Sequence, residues 1–432
     1  MYMVILKYFN VNRVVGIYIK KYLSHRYRQT FNFVLDYNHQ KDLVRCSMLG
    51  LSREFYEKEN SIFTVLEILQ QPKTWEKTYE IINRLKSDLK AFMNQFDEDS
   101  VIYLSGAGTS EFVGNTIESY INNIGKYNVK SVSTTDIVLE PKSYFSKTKK
   151  TLVVSFGRSG SSPESVATVN FANQLCDDIY HLIVTCNKNG ELALSAEEND
   201  NYFLITLPEE THDKSFAMTS SYTNMMLATI LAFDLSNLDS YKTFLSSITK
   251  LGKQIIEKGY RVIDKLIKEY DFSRIIYLGT GANKGMAEEA ALKMLELTSG
   301  NVSTLFDSAL GFRHGPKSII RAGALSVLFI SDDEYKRKYE IDLLKEMLSE
   351  KDGNEFLVIA NRPLNKTLPG LNYLIEFNFA EDLSNMALVF PYVMLAQILA
   401  LRKASKLGIA SDNPCPKGTV NRVVKGVKIY HI

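Results

Sequence analysis

The sequence predicts an α/β protein with two tandem doubly wound parallel-sheet domains. Three observations carry this: short, continuous apolar runs recur along the chain, longer helical patterns separate them, and three runs return at one offset. Ile102-Tyr103-Leu104 matches Ile276-Tyr277-Leu278, residues 152–155 match 326–329 in apolar character, and 182–187 match 356–361, each 174 positions later. A strand buried on both faces reads as an unbroken apolar run, because neither face offers a place for polar side chains. Strand–helix alternation then implies a parallel sheet covered on both sides. At 432 residues the chain is also too long for one ordinary core.

Taken in order, residues 1–48 form a leader. Residues 1–47 are aromatic and basic without periodicity, and Met48 opens a sequence of ordinary character, so the leader reads as an upstream extension outside the native protein. An N-terminal helical segment follows over 49–95, with patterns at 55–69 and from Trp75 to about Phe96. The first α/β domain spans 96–235, with helices expected at 111–124 and 163–175. A helical linker spans 236–269. The second α/β domain spans 270–404, with helices expected at 285–298 and 336–348. A tail over 405–432 ends the chain.

Composition excludes several classes. The formal net charge is +2, which gives no case for nucleic-acid binding. Residues 1–47 hold eight Lys/Arg against two acids, leaving a formal −4 for the rest. The four cysteines (Cys46, Cys176, Cys186, Cys415) are scattered, so neither a disulfide framework nor a zinc site is expected, and a cytoplasmic location fits. The longest apolar stretch, 386–401, contains Pro391 and Gln397 and reads as a buried core helix, so no membrane partner is expected.

In open α/β sheets ligands sit at the carboxyl ends of the strands. Two loops there are rich in glycine and hydroxyls: Ser105-Gly106-Ala107-Gly108-Thr109-Ser110, and 155–165 with Arg158, Ser159, Ser161, Ser162 and Pro163. Glycines admit a close anion, hydroxyls donate to it, and a helix N-terminus faces it. A P-loop is excluded by the missing lysine, and the dinucleotide fingerprint fails where Glu111 replaces its third glycine. The bland alternative is a plain strand-to-helix turn, but four serines and an arginine exceed what a turn needs. The second copy differs: its loop Ser331-Asp332-Asp333-Glu334 is acidic and would repel phosphate. Lys293 and Glu296 lie three apart on one helix, a spacing that is ordinarily a surface salt bridge. His314 precedes Gly-Pro and so belongs to a turn.

These residues are similar to those of the sugar isomerase (SIS) family, which carries two flavodoxin-like domains in tandem. The resemblance rests on Gly-Ala-Gly-Thr-Ser at 106–110, Ser-Gly-Ser-Ser at 159–162, Ala-Leu-Lys-x-x-Glu at 291–296 and His-Gly-Pro at 314–316. Within it, Gln70-Gln71-Pro72-x-x-Trp75 and the tail from Ser411-Asp412-Asn413-Pro414 to Ile429-Tyr430 resemble the tagatose-6-phosphate ketose/aldose isomerases, also read as galactosamine-6-phosphate deaminases. The likeness covers about Leu49 to Tyr430.

The resemblance implies roles. Ser110, Ser159 and Ser162 would bind a sugar phosphate, beside Thr109 and Ser161, with Arg158 where the similar isomerase half of glucosamine-6-phosphate synthase has glutamine. Gly108, Lys293 and Ser220 would be further substrate contacts. Glu296 would move a proton between C2 and C1, His314 would assist ring opening from a neighbouring subunit, and Lys425 would offset charge or help in ring opening. The resemblance implies a homodimer or higher homo-oligomer with shared active sites, acting on a small-molecule sugar phosphate without metal or cofactor. The activity expected is conversion of galactosamine 6-phosphate to tagatose 6-phosphate and ammonia. The alternatives are a plain aldose–ketose isomerase and a non-catalytic sugar-phosphate sensor.

Overall fold

The computed structural model describes residues 47–432 except 198, 365–367, 379–382 and 425. The leader therefore lies almost wholly outside the described residues, as does Lys425. Tyr56–Ile432 forms one compact unit that holds both sheets. Of the smaller unit, which ends at Phe55, residues 47–55 are described and include a bridge between Met48 and Leu51.

The first sheet is built from β1 (Val101–Gly106), β2 (Val129–Ser133), β3 (Thr151–Gly157), β4 (Ile179–Thr185) and β5 (Tyr202–Thr206), in the order β2-β1-β3-β4-β5. The second is built from β6 (Arg274–Leu278), β7 (Ser303–Asp307), β8 (Ala324–Phe329), β9 (Glu355–Ala360) and β10 (Tyr373–Glu376), in the order β10-β9-β8-β6-β7. All pairings are parallel. Both sheets thus share one topology, with the order reversing between β1 and β3 and between β6 and β8. Those reversals open the crevices where an α/β sheet binds ligands.

Six strands were anticipated by their apolar runs. The four that were not (β2, β5, β7, β10) are the edge strands. Edge strands keep some residues in water, and β7 has no buried residue. Their sequences, such as VKSVS and STLFD, therefore lack an unbroken apolar run.

The 174-residue offset survives in the central pair of each sheet, where Tyr103 pairs with Val153 and Tyr277 with Val327. One strand further out, Val153 pairs with His181 but Val327 with Leu357, a displacement of two residues. An even displacement keeps the same set of side chains on each face, so both cores survive it. At the glycine turns the offset is 173: Gly108 (φ 56°, ψ −128°) and Gly281 (φ 62°, ψ −127°) cap equivalent helices.

Those helices, Thr109–Ile124 and Ala282–Leu297, have 16 residues each and pack on one another. Asn115 and Glu288 stand at the same step of the two helices and meet, with Nδ2 donating to Oε2 at 3.0 Å. A Cβ on Gly285 would lie 2.7 Å from the backbone at Asn115 and Thr116, so only glycine allows this approach.

The N-terminal segment departs from expectation at Asn60, whose φ of 49° ends one helix before Ile62–Leu69 starts the next. Gln71–Met93 follows. The linker is helical, through Tyr241–Gln254, a π turn at Ile255–Gly259, and Tyr260–Glu269. The apolar stretch containing Pro391 is the helix Asn385–Lys406. It is long and apolar enough to cross a membrane, but 94% of its apolar window is buried inside the fold.

Candidate active site

The loop after β1 is shaped by its glycines. A Cβ on Gly106 would fall 2.4 Å from the backbone of Ser110, so the chain can turn there only without a side chain. Gly108 then sets Thr109 and Ser110 in the first helical turn, both buried. The Oγ1 of Thr109 accepts a hydrogen bond from Lys293 Nζ at 2.9 Å. Lys293 is itself completely buried, bonds to Glu296, and lies 3.5 Å from Glu289 Oε1. The Lys293–Glu296 pair is therefore not the surface salt bridge its spacing suggests. It lies where the C-terminal turns of one central helix meet the N-terminus of the other.

Burial sets the charges of this cluster. Glu289 is fully buried; desolvation, helped by the charge of Glu296, pushes it up to about 8 against the pull of Lys293. Burial works against the charge on Lys293, but Glu289 and Glu296 outweigh it and raise its pKa above the usual lysine value. Burial thus favours the neutral, protonated form of Glu289. Lys293 and Glu296 then form a balanced ion pair, which a low-dielectric interior tolerates far better than a lone charge. Glu296, with 24% of its side chain exposed, is the member that reaches solvent.

The loop after β3 is braced from below. Asn187 Nδ2 donates to the Ser159 carbonyl at 2.9 Å, and a Cβ on Gly190 would sit 2.4 Å from that same oxygen. Ser161 Oγ accepts from the Glu191 amide at 3.0 Å, and Ser162 Oγ donates to Ser165 Oγ at 2.6 Å. Ser162 is the N-cap of Pro163–Leu175, so that helix's first amides face the loop. In the loop after β1, Ser110 Oγ reaches only Met218 Sδ among the described residues, at 3.9 Å.

The sequence places Arg158 at the phosphate; in the fold its guanidinium is engaged by backbone carbonyls. It is buried and donates to three backbone carbonyls: Ser215 (3.4 Å), Phe216 (3.1 Å) and, in the tail, Arg422 (2.7 Å). Arg422 in turn donates to Ser215 at 3.1 Å and to Asp213. Burial and the neighbouring Arg422 lower the pKa of Arg158, while Asp213 and Glu296 act the other way. The two guanidinium groups thus fasten the tail to residues 213–216. Glu67 holds the same segment from the opposite side, accepting from Ser215 N and Oγ. Desolvation first, then the charge of Asp213, pushes Glu67 up to about 8.

Ser220 is fully buried, donating to Asp213 and accepting from Gln70 at 2.9 Å. His314 is exposed in the turn after the short helix Gly311–Arg313, and among the described residues it shares no hydrogen bond or ion pair with Glu296. Glu67, Asp213, Glu289 and Arg422 were not singled out from sequence. Only Arg422 carried a signal, through the tail motif.

A parallel double-wound pair of sheets with a glycine–hydroxyl loop at one crevice and a buried Lys–Glu pair beside it defines a sugar isomerase-domain protein. The SIS domain family matches residues 96–234. The D-galactosamine-6-phosphate deaminase AgaS of Shewanella sp. (strain ANA-3) is 39% identical over 389 residues, 89% of this chain and 96% of that protein. This chain belongs to the AgaS family. Among solved structures, a proposed tagatose-6-phosphate ketose/aldose isomerase from Clostridium novyi NT matches with TM-score 0.86 and 42% identity, over 89% of this chain and 99% of that one. The tagatose-6-phosphate ketose/aldose isomerase of Escherichia coli matches with TM-score 0.77 and 35% identity, over 85% and 96%.

Proposed function

We propose that this chain converts galactosamine 6-phosphate and water to tagatose 6-phosphate and ammonia. The observation that carries the reading is the buried Thr109–Lys293–Glu296 connection, which places a carboxylate beside the hydroxyl-rich loops. Phosphate would lie against Ser110, Ser159 and Ser162, where helix N-termini and hydroxyls both favour an anion. Glu296, held by Lys293, would take the C2 proton of the open-chain aldose and return it at C1. The C2 imine so formed reacts with water, giving the ketose and releasing ammonia. Lys425 would offset charge on the enol oxygen.

His314, exposed on its turn, would be offered to a second copy in a homodimer or higher assembly, and the reaction would take place in the cytoplasm. The tagatose-6-phosphate isomerase name of two structural relatives supports a second reading, in which the proton shift occurs on a sugar without the amine. Ammonia release separates them. Galactosamine 6-phosphate should release ammonia stoichiometrically with tagatose 6-phosphate, and Glu296→Gln should lower kcat by about 10²–10⁴-fold with little change in KM. Full activity in Glu296→Gln would remove the base assignment; a non-amino substrate turned over without ammonia release from the amino sugar would select the second reading.

A further inference from the structure

The two central helices pack so that each C-terminal end lies beside the other's N-terminus, and the far end of the pair also holds a cleft. About 500 Å³ in volume, it lies between the last turns of Thr109–Ile124 and the start of Ala282–Leu297. Counted from the capping glycines, Tyr120 stands at the step of Lys293 and Asn123 at the step of Glu296, and both line this cleft. We propose that it is a second, non-catalytic binding site for a phosphorylated amino sugar; the choice of that ligand class rests on the function proposed above.

One side of the cleft suits an anion. Lys336 Nζ lies 3.7 Å from where a Cβ on Gly281 would be, directly over the start of a 16-residue helix. No ion pair engages that ammonium group among the described residues. Ser384 and Asn385, at the start of the 22-residue helix Asn385–Lys406, line the same space. Two helix N-termini and a lysine are a suitable receptor for phosphate.

The other side needs a donor. Asp332 lines the cleft, is 3% exposed, and uses Oδ2 to accept from Asn361 Nδ2 (2.6 Å) and the Leu383 amide (3.1 Å). Its Oδ1 is buried without a hydrogen bond. A buried carboxylate oxygen left without a donor is costly, and a ligand ammonium or hydroxyl would satisfy it. The acidity of this loop had argued against phosphate. The geometry softens that objection: Asp333 caps its own helix by accepting from the Lys336 amide at 2.9 Å, and Glu334 lies 3.7 Å from Arg362. The volume falls in the range that holds a hexose phosphate. Asn123 takes the step of Glu296 and has no carboxylate, so the cleft lacks the helix-borne base that Glu296 would supply at the first end.

The test is calorimetric titration of Glu296→Gln protein with galactosamine 6-phosphate. Two sites per chain are expected. Adding Lys336→Ala or Asp332→Asn should weaken one of them at least tenfold and leave the other unchanged. Lys336 is half-exposed, so that variant decides the matter even if the buried substitution fails to fold. A single site, sensitive to Ser159→Ala and indifferent to Lys336→Ala, overturns the inference while keeping the proposed function. A single site sensitive only to Lys336→Ala also overturns the inference, because the cleft would then be the one substrate site, and it removes substrate binding at the serine loops.

Discussion

The two ends of the central helix pair are built from the same parts and finished differently. At one end a threonine in the first turn meets a buried lysine that holds two glutamates. At the other end the lysine's step is taken by Tyr120, which bonds to Tyr241 at 3.0 Å, and Glu289's step by Thr116, which bonds to Tyr222 at 2.7 Å. These hydroxyls bury no cation, and Tyr241 donates in turn to Asp234 Oδ2 at 3.0 Å. The first end instead carries a buried cation, Lys293, which is paired with the Glu296 carboxylate. The difference teaches that this helix packing does not itself require a buried cation; the buried lysine is specific to one end.

Substitution at matching steps gives the sharpest contrast. Removing the cation with Lys293→Met leaves Glu296 without its partner and Thr109 without a donor. Breaking a buried pair from one side costs about 3–5 kcal/mol, so the midpoint of denaturant unfolding should drop sharply and ammonia release should fall. Tyr120→Phe removes one neutral hydrogen bond and should cost only about 1 kcal/mol. Equal losses in the two variants would mean that the charge at the first end plays no special part in stability.

This contrast also marks how far the sequence could be read. The six central strands, the glycine loops and the relation between the halves were visible, because burial on both faces and tight turns each leave a local pattern. Edge strands were missed because water tolerates mixed sequence. Lys293 and Glu296 were visible as a pair, but their burial was not: spacing along a helix does not say which face another helix will cover. Glu67, Asp213 and Arg422 converge on residues 213–216 from far apart in the chain, and no local pattern records such contacts. The Gln70-Gln71-Pro72-x-x-Trp75 motif proves structural, with Gln71 bonded to Gln397 and Thr223 and Trp75 to Thr223.

A smaller effect follows from titration. Glu289 rises from 4.5 to about 8 in the fold, whereas Thr116 at the matching step does not ionise. Between those two pH values the folded state keeps a proton that the unfolded chain has released, so stability falls as pH rises through this window and levels off above about 8. Glu67, also raised to about 8, adds to the same slope. Unfolding midpoints measured from pH 5 to 8.5 should decline, and Glu289→Gln should flatten the decline. An unchanged slope in both Glu289→Gln and Glu67→Gln would mean that these carboxyls ionise normally.

The smallest effect concerns the tail, which reinforces only the first end. Asp412 reaches back to the start of Ile62–Leu69, where its carboxylate accepts from the Phe63 amide (3.0 Å), the Thr64 amide (2.8 Å) and Thr64 Oγ1 (2.7 Å). It thus caps a helix 350 residues earlier in the chain, satisfying amides that have no partner within the helix and placing negative charge at its positive end. Glu67 on that helix grips residues 213–216, which Arg158 and Arg422 hold from the other side. Loss of the cap in Asp412→Ala should cost about 1 kcal/mol and loosen that brace. The matching loss at the second end should be nil, because no tail contact reaches Lys336 or Asp332 among the described residues. Galactosamine 6-phosphate titrated into Asp412→Ala should therefore bind more weakly at the site sensitive to Ser159→Ala and unchanged at the one sensitive to Lys336→Ala. Parallel weakening of both would show that the tail steadies the helix pair as a whole.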